Sequence, residues 1–159
     1  MDDFSAPLST AEAAFLAALD ERGVRYLVVG MSAALMQGVR GSTDDIDLWF
    51  LELGDHRIAD AARSVGGFLV TRTQPPLLGG SFGERFDIVT HMSGLPSFDA
   101  EYENASVVDL GSGVRVRVLP LERILLSKRT ANREKDQIAI AQIEQTLKVL
   151  GALRDDHEG

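Results

Sequence analysis

Residues 28–50 read VVGMSAALMQGVRGSTDDIDLWF, an apolar run, a Gly-Met-Ser turn, a short Ala/Leu stretch, and then three acids within four positions. The acids Asp44, Asp45 and Asp47 fall just where a second apolar segment, Ile46 to Leu51, begins. Successive strand residues point to opposite faces, so Asp45 and Asp47 project together while Ile46 turns into the core. No Lys or Arg lies within four residues of Asp45 or Asp47. Like charges held side by side repel, so the pattern calls for a balancing cation from elsewhere in the fold or from solution. Asp44 points the other way and reads as a turn residue.

The flanking pattern extends this into a fold. Ser9-Thr10-Ala11-Glu12 is a capping box opening a helix that Gly23 ends. Arg25 to Val29 reads as a buried strand, Gly30 to Gly38 as a turn with a short helix, and Ile46 to Leu51 as the second strand. Asp55 caps a helix to about Val65, and Phe68 to Thr71 forms a third strand. Pro75-Pro76 and Gly79-Gly80 mark a loop. Arg85 to Thr90 alternates strictly and is a strand, and a helical turn is expected near Phe98 to Tyr102. Val107 to Leu110 and Val114 to Val118 flank Gly111-Ser112-Gly113 and predict a hairpin. Pro120 opens a helix to about Arg129. The last helix, Glu134 to Leu150, is expected to bury Ile138, Ile140, Ala141, Ile143, Leu147 and Leu150, with Gly151 as its stop and Arg154 to Gly159 frayed. The order predicts an α+β fold, a mixed β-sheet flanked by helices, with C-terminal helices at the end. No repeat or linker divides residues 1–159, so one domain is expected, its core at about 24–119 and its C-terminal helices at about 120–150.

With 159 residues, 45% of them hydrophobic, the chain can bury a substantial core. Cysteine is absent, which removes disulfides, thiolate metal sites and a cysteine nucleophile. The start Met-Asp-Asp-Phe lacks a signal-peptide pattern and no apolar run reaches bilayer length, so a cytoplasmic protein without membrane contact is expected. The net charge of −8 argues against a broad nucleic-acid surface. Charge is nevertheless segregated: seven of the sixteen Lys and Arg residues fall between Arg115 and Lys135, against two acids there. An acidic group early and a basic group late suit a metal site facing a phosphate-binding wall, or a solvated helix face.

Asp87, in Phe86-Asp-Ile-Val, is again flanked by apolar residues and can join Asp45 and Asp47 from a neighbouring strand. Three carboxylates suit Mg²⁺, which takes oxygen ligands and leaves room for substrate phosphates. Around two metal ions such a set supports in-line attack at phosphorus. Solvent-facing acids on a half-exposed sheet would give the same short pattern. Gly30 permits a tight turn, and amides opening the next helix bind phosphate oxygens, with the Ser32 hydroxyl as one further donor. His56, His91 and His157 show no metal-ligand spacing and read as surface or loop residues. Trp49 and Phe50 read as core.

Taken together, the apolar strand, Gly30-Met31-Ser32, the short helix, Gly38, Arg40, Thr43, Asp45-Ile46-Asp47 and the later Asp87 resemble the nucleotidyltransferase superfamily with the DNA polymerase beta-like fold. Leu125 to Arg129 and Arg133-Glu134-Lys135-Asp136 are similar to the bacterial branch that includes toxins of type IV toxin–antitoxin systems. The resemblance spans roughly residues 24–146. It departs from the pattern twice: Met31 stands at the second glycine position, and Arg40 precedes Thr43 by three residues rather than two. The resemblance implies a Mg²⁺-dependent transfer of a nucleoside monophosphate from an NTP to a hydroxyl acceptor (tRNA, protein or small molecule) with release of pyrophosphate. It implies that Asp45 and Asp47 hold two Mg²⁺ ions and that Asp87 ligates the catalytic one. Gly30 and Ser32 would position the triphosphate, with Arg40, Thr43, Lys128 and Lys135 as further nucleotide-binding candidates. Lys128 and Lys135 read equally as solvated helix ends. Asp136 would orient Lys135 or an arginine. Two rival readings are a non-catalytic nucleotide- or partner-binding module, such as half of a toxin–antitoxin pair with a cognate partner protein, and a metal-dependent phosphohydrolase.

Overall fold

The computed structural model describes residues 8–82, 84–111 and 113–158, with side chains to residue 151. The chain opens with α1 (Thr10–Glu21), where both halves of the capping box form: the Glu12 amide donates to Ser9 Oγ at 3.1 Å, and the Ser9 amide donates to Glu12 Oε1 at 2.8 Å. Then follow β1 (Tyr26–Val29), α2 (Gly30–Met36), β2 (Ile46–Phe50), α3 (His56–Ser64) and β3 (Gly67–Val70). The second half holds β4 (Leu77–Gly80), β5 (Phe86–Val89), α4 (Phe98–Glu103), β6 (Ser106–Asp109), β7 (Arg115–Val118), α5 (Leu121–Ala131), a 3-10 turn (Glu134–Asp136) and α6 (Gln137–Glu158).

All the strands join one seven-stranded sheet in the order β3-β4-β5-β2-β1-β7-β6. β1 runs antiparallel to β2 and parallel to β7, while β2 runs parallel to β5. The C-terminal ends of β1 and β7 therefore share one rim of the sheet with the N-terminal ends of β2 and β5. β7 ends at Val118 on that rim, and Pro120 then caps α5, which delivers the C-terminal helices beside it. The mixed sheet flanked by helices is the α+β architecture expected from the sequence.

Apart from Asp47, the central strands β1 and β2 are apolar along their length because helices cover both of their faces. Leu27, Val28, Val29, Ile46 and Leu48 are fully buried. On one face Phe15 of α1 packs against Phe82 and Phe86, ring centroids 4.8 and 5.3 Å away. On the other, Phe98 of α4 meets Trp49 edge-on at 5.2 Å. Trp49 and Phe50 are thus core residues, as expected.

Three expectations are corrected. The segment read as a loop around Gly79-Gly80 is β4, paired with β3 along Gly67 to Val70. Gly79 lies under the Phe68 ring, where a Cβ would stand 2.9 Å from Phe68 Cζ, so glycine is there for cross-strand packing and not for a turn. The last helix does not stop at Gly151 but continues to Glu158, so the expected boundary at about 150 and the frayed tail from Arg154 are both overturned. Gly151 keeps ordinary helical backbone and terminates nothing. Ile138 is 75% exposed, and Ala141 and Leu150, also expected to be buried, are exposed too, because the buried stripe of α6 runs through Ile140, Ile143 and Leu147 and leaves them outside it. Ser112 of the hairpin turn, Gly159, the His157 side chain and the Met1-Asp2-Asp3-Phe4 start lie outside the described residues. Among the described residues, no helix is long and apolar enough to cross a membrane.

Candidate active site

The sheet register brings the acids together. Asp47 of β2 stands directly beside Asp87 of β5 and opposite Val29 of β1. Adjacent residues in register share a face, so the two carboxylates emerge side by side. Asp45, just before β2, is the charged neighbour of Asp87. Burial, then the charge and close approach of Asp45, raise the Asp87 carboxyl above its ordinary range.

Asp47 is the most deeply set of the three. Burial first, then repulsion from Asp87 and Asp45, pushes its pKa up to about 6, against a partial opposing pull from Lys128 and the nearby Ser32 hydroxyl. Its surroundings are built to admit it. Gly30 follows β1 with φ +64°, and a Cβ there would lie 2.5 Å from Asp47 Oδ2. Glycine is needed at this position because the Asp47 carboxylate occupies the space a side chain would fill. Ser32, fully buried on α2, donates to the Val29 carbonyl at 2.8 Å and accepts from the Asp47 amide at 3.0 Å. Ser32 therefore serves as a strut fixing the start of β2, on the turn expected from the sequence to position a triphosphate.

Across from Asp47 opens a cleft of about 630 Å³. One wall is the sheet rim, with Val29, Gly30, Met31, Asp47 and Val89. The other comes from α5, the 3-10 turn and the segment between them, with Lys128, Arg133, Lys135 and Asp136. Lys128 is only 14% exposed along its side chain, and its ammonium lies 3.4 Å from Asp136 Oδ1. Asp136 also accepts from Arg133 Nε at 2.6 Å and Nη2 at 3.2 Å. Burial works to raise the Asp136 pKa, but Arg133 and Lys128 together outweigh it and hold it below the usual range. Asp136 thus remains ionised and anchors two cations on the wall facing the acids. The sequence expectation that it orients an arginine describes this contact; its other partner is Lys128 rather than Lys135.

No protein-family model and no curated protein matches the chain. Among solved structures, ANT(2″)-Ia in complex with adenylyl-2″-tobramycin aligns with a TM-score of 0.57 at 19% identity, over 89% of this chain and 88% of that one. The solution structure of the antibiotic-resistance factor ANT(2″)-Ia aligns with a TM-score of 0.51 at 19% identity, over 93% and 97%. The fold is that of the nucleotidyltransferases. At this identity the likeness carries the architecture and leaves the chemistry to the residues themselves.

Within this nucleotidyltransferase fold, the remaining candidates separate. Lys135 is exposed on the cleft wall. Thr43 Oγ1 accepts from the Asp45 amide at 3.3 Å and so braces the loop entering β2. Arg40 is exposed and lies with Gly38 along α6, beside Gln142 and Thr146, in a separate depression. Asp45 and Asp87 stand at the rim rather than on the cleft lining, and only Asp47 belongs to both. Met92 and Ser93, which sequence reasoning passed over, line the cleft just beyond β5 beside His91, which was read as a surface or loop residue. Their position after an acid-bearing strand was the available signal.

The donor set is chemically suited to a divalent cation. The neighbouring acids raise the proton affinity of Asp47 and Asp87, and Lys128, the cation that acts on Asp47, already serves Asp136. Among the described residues, no three acids or histidines stand in a ready-made metal cage.

Proposed function

We propose that the chain transfers a nucleoside monophosphate from an NTP to a hydroxyl group, releasing pyrophosphate, with Mg²⁺ held by Asp45, Asp47 and Asp87. The observation that carries this reading is the in-register pair Asp47–Asp87, joined by Asp45, on the rim of a cleft whose far wall is cationic. When bound there, Mg²⁺ supplies positive charge that acidifies the attacking hydroxyl and neutralises the leaving pyrophosphate.

The protein's own groups account for the rest. Gly30 leaves backbone close to the carboxylates, free of a side chain that would block the triphosphate. Lys128 and Arg133, both pinned by Asp136, and the exposed Lys135 offer donors to phosphate oxygens. The acceptor oxygen forms the new bond to the α-phosphorus as the bond to pyrophosphate breaks. Asp87, exposed at the rim with raised proton affinity, is the carboxylate that takes the acceptor's proton. We take the acceptor to be a small hydroxylated molecule, a reading supported by the adenylyl-tobramycin held in the solved structure of similar fold.

The test uses NTPs labelled at the α-phosphate, with small-molecule fractions of a cell extract as acceptors. Label should move to an acceptor only with Mg²⁺, and Asp47→Asn and Asp87→Asn should each abolish transfer while the domain stays folded. Undiminished transfer in Asp47→Asn, or release of free monophosphate with no labelled acceptor, rejects the proposal.

A further inference from the structure

At the end of the sheet away from the acids, a second cavity of about 260 Å³ is lined by Asp20, Val24, Tyr26, Tyr102, Val107, Arg115, Val116 and Arg117. β1 and β7 share the register position Val28 with Val118 near the acidic rim. Toward their N-terminal ends the cavity lies between Tyr26 on β1 and Arg115 to Arg117 on β7. Three features there are unexplained by packing.

Tyr26 is 4% exposed, and its hydroxyl has no hydrogen-bond partner among the described residues. Buried phenols normally find one, because an unpaired buried hydroxyl loses its hydration without compensation. Tyr26 lines the cavity together with Asp20 and Tyr102, with its hydroxyl closed off from solvent. Arg115 and Arg117 have no carboxylate within ion-pair distance among the described residues. The Arg117 guanidinium instead lies over the Tyr102 ring, 4.6 Å from its centroid, which holds it in place without using its hydrogen-bond donors. Finally, Asp20 is a carboxylate acceptor at the edge of the same cavity.

Among the lining residues the donors outnumber the acceptors, two cations against one acid, and Asp109 stands opposite Arg115 just outside the lining. We infer that this cavity binds a small metabolite through an oxyanion headgroup, a carboxylate or a phosphate. Arg115 and Arg117 take the headgroup, the Tyr26 hydroxyl donates to it, and Asp20 receives a hydroxyl or amino proton from the body of the ligand. Guanidinium forks match both headgroups, and a cavity of this size admits a molecule of a few carbons. The site stands on other residues than the acidic cleft, so it holds or fails independently of the proposed transfer reaction.

The full chain is titrated with glycolate and, separately, with inorganic phosphate, in chelator and without divalent metal, while backbone amide resonances are followed. At least one probe should shift the amides of residues 107 and 115–117 saturably, and the comparison of the two identifies the headgroup. Exchanging both exposed arginines, Arg115→Gln with Arg117→Gln, should weaken that binding at least tenfold. Tyr26→Phe removes only the hydroxyl: it should raise the thermal midpoint of the free chain yet weaken the probe severalfold. Shifts confined to Gly30 and Met31, binding unaltered in the arginine double variant, or no saturable shift up to tens of millimolar of either probe would overturn the assignment.

Discussion

Replacing Asp47 by Asn should stabilise the metal-free chain while destroying its ability to respond to Mg²⁺. The Asp47 carboxyl has a pKa of about 6 in the folded chain, against an ordinary value of 3.8. The folded state therefore holds this proton more tightly than the unfolded state does. Its contribution to stability is intact below the ordinary value and is lost as pH rises to about 6. Above that, keeping the carboxylate ionised costs about 3 kcal/mol. Asn removes the charge but keeps a buried polar group, so about 1–3 kcal/mol should be recovered at pH 8. For a chain of this length that is a rise of about 2–10 °C in the thermal midpoint. The gain should shrink as pH falls from 6 to 4, where the carboxyl of the folded wild type becomes protonated. Thermal melts in chelator at pH 8 and pH 4, repeated with excess Mg²⁺ at pH 8, measure all of this. The reasoning fails if Asn lowers the midpoint at pH 8, if the gain is equal at both pH values, or if Mg²⁺ stabilises both proteins alike.

Gly30→Ala should destabilise the chain by more than the ~1–2 kcal/mol that left-handed backbone alone costs a side chain, because the methyl group also displaces the Asp47 carboxylate; denaturant unfolding reads the loss, and calorimetry should show Mg²⁺ binding weakened with it. Ser32→Ala leaves the Asp47 amide without its acceptor and should cost about 1–3 kcal/mol, visible as a lower denaturation midpoint and faster hydrogen exchange at that amide. Lys128→Gln removes the cation that opposes the rise in the Asp47 pKa. Carbon-detected titration should find the Asp47 pKa moved higher still, and NTP binding should weaken by about tenfold or more, the loss of one charge-assisted contact.

The acids were legible in the sequence because strand periodicity is local. Asp45 and Asp47 flank a buried Ile46, Asp87 lies between buried Phe86 and Ile88, and the sheet pairs their strands in register. The capping box at Ser9 and Glu12 and the cap at Asp55 were equally readable, since each is settled within a few residues. What escaped depends on contacts distant in the chain. β4 was hidden because Gly79 looks like a turn residue until the Phe68 ring is seen lying on it. The strut from Ser32 to the Asp47 amide was hidden because β2 supplies that amide only fifteen residues later. Ile138 fits an apolar helical pattern, but which stripe of α6 is buried depends on what α6 packs against.

The wedge formed by Gly30, Ser32 and Asp47 leaves almost no latitude, for each occupies space or a hydrogen bond that another defines. His91 and Lys135, by contrast, are exposed at the cleft and tied to none of them. Under the proposed function, natural variation can therefore retune which molecules the cleft would accept, one solvent-facing position at a time, while the wedge stays frozen and the melting curve barely moves.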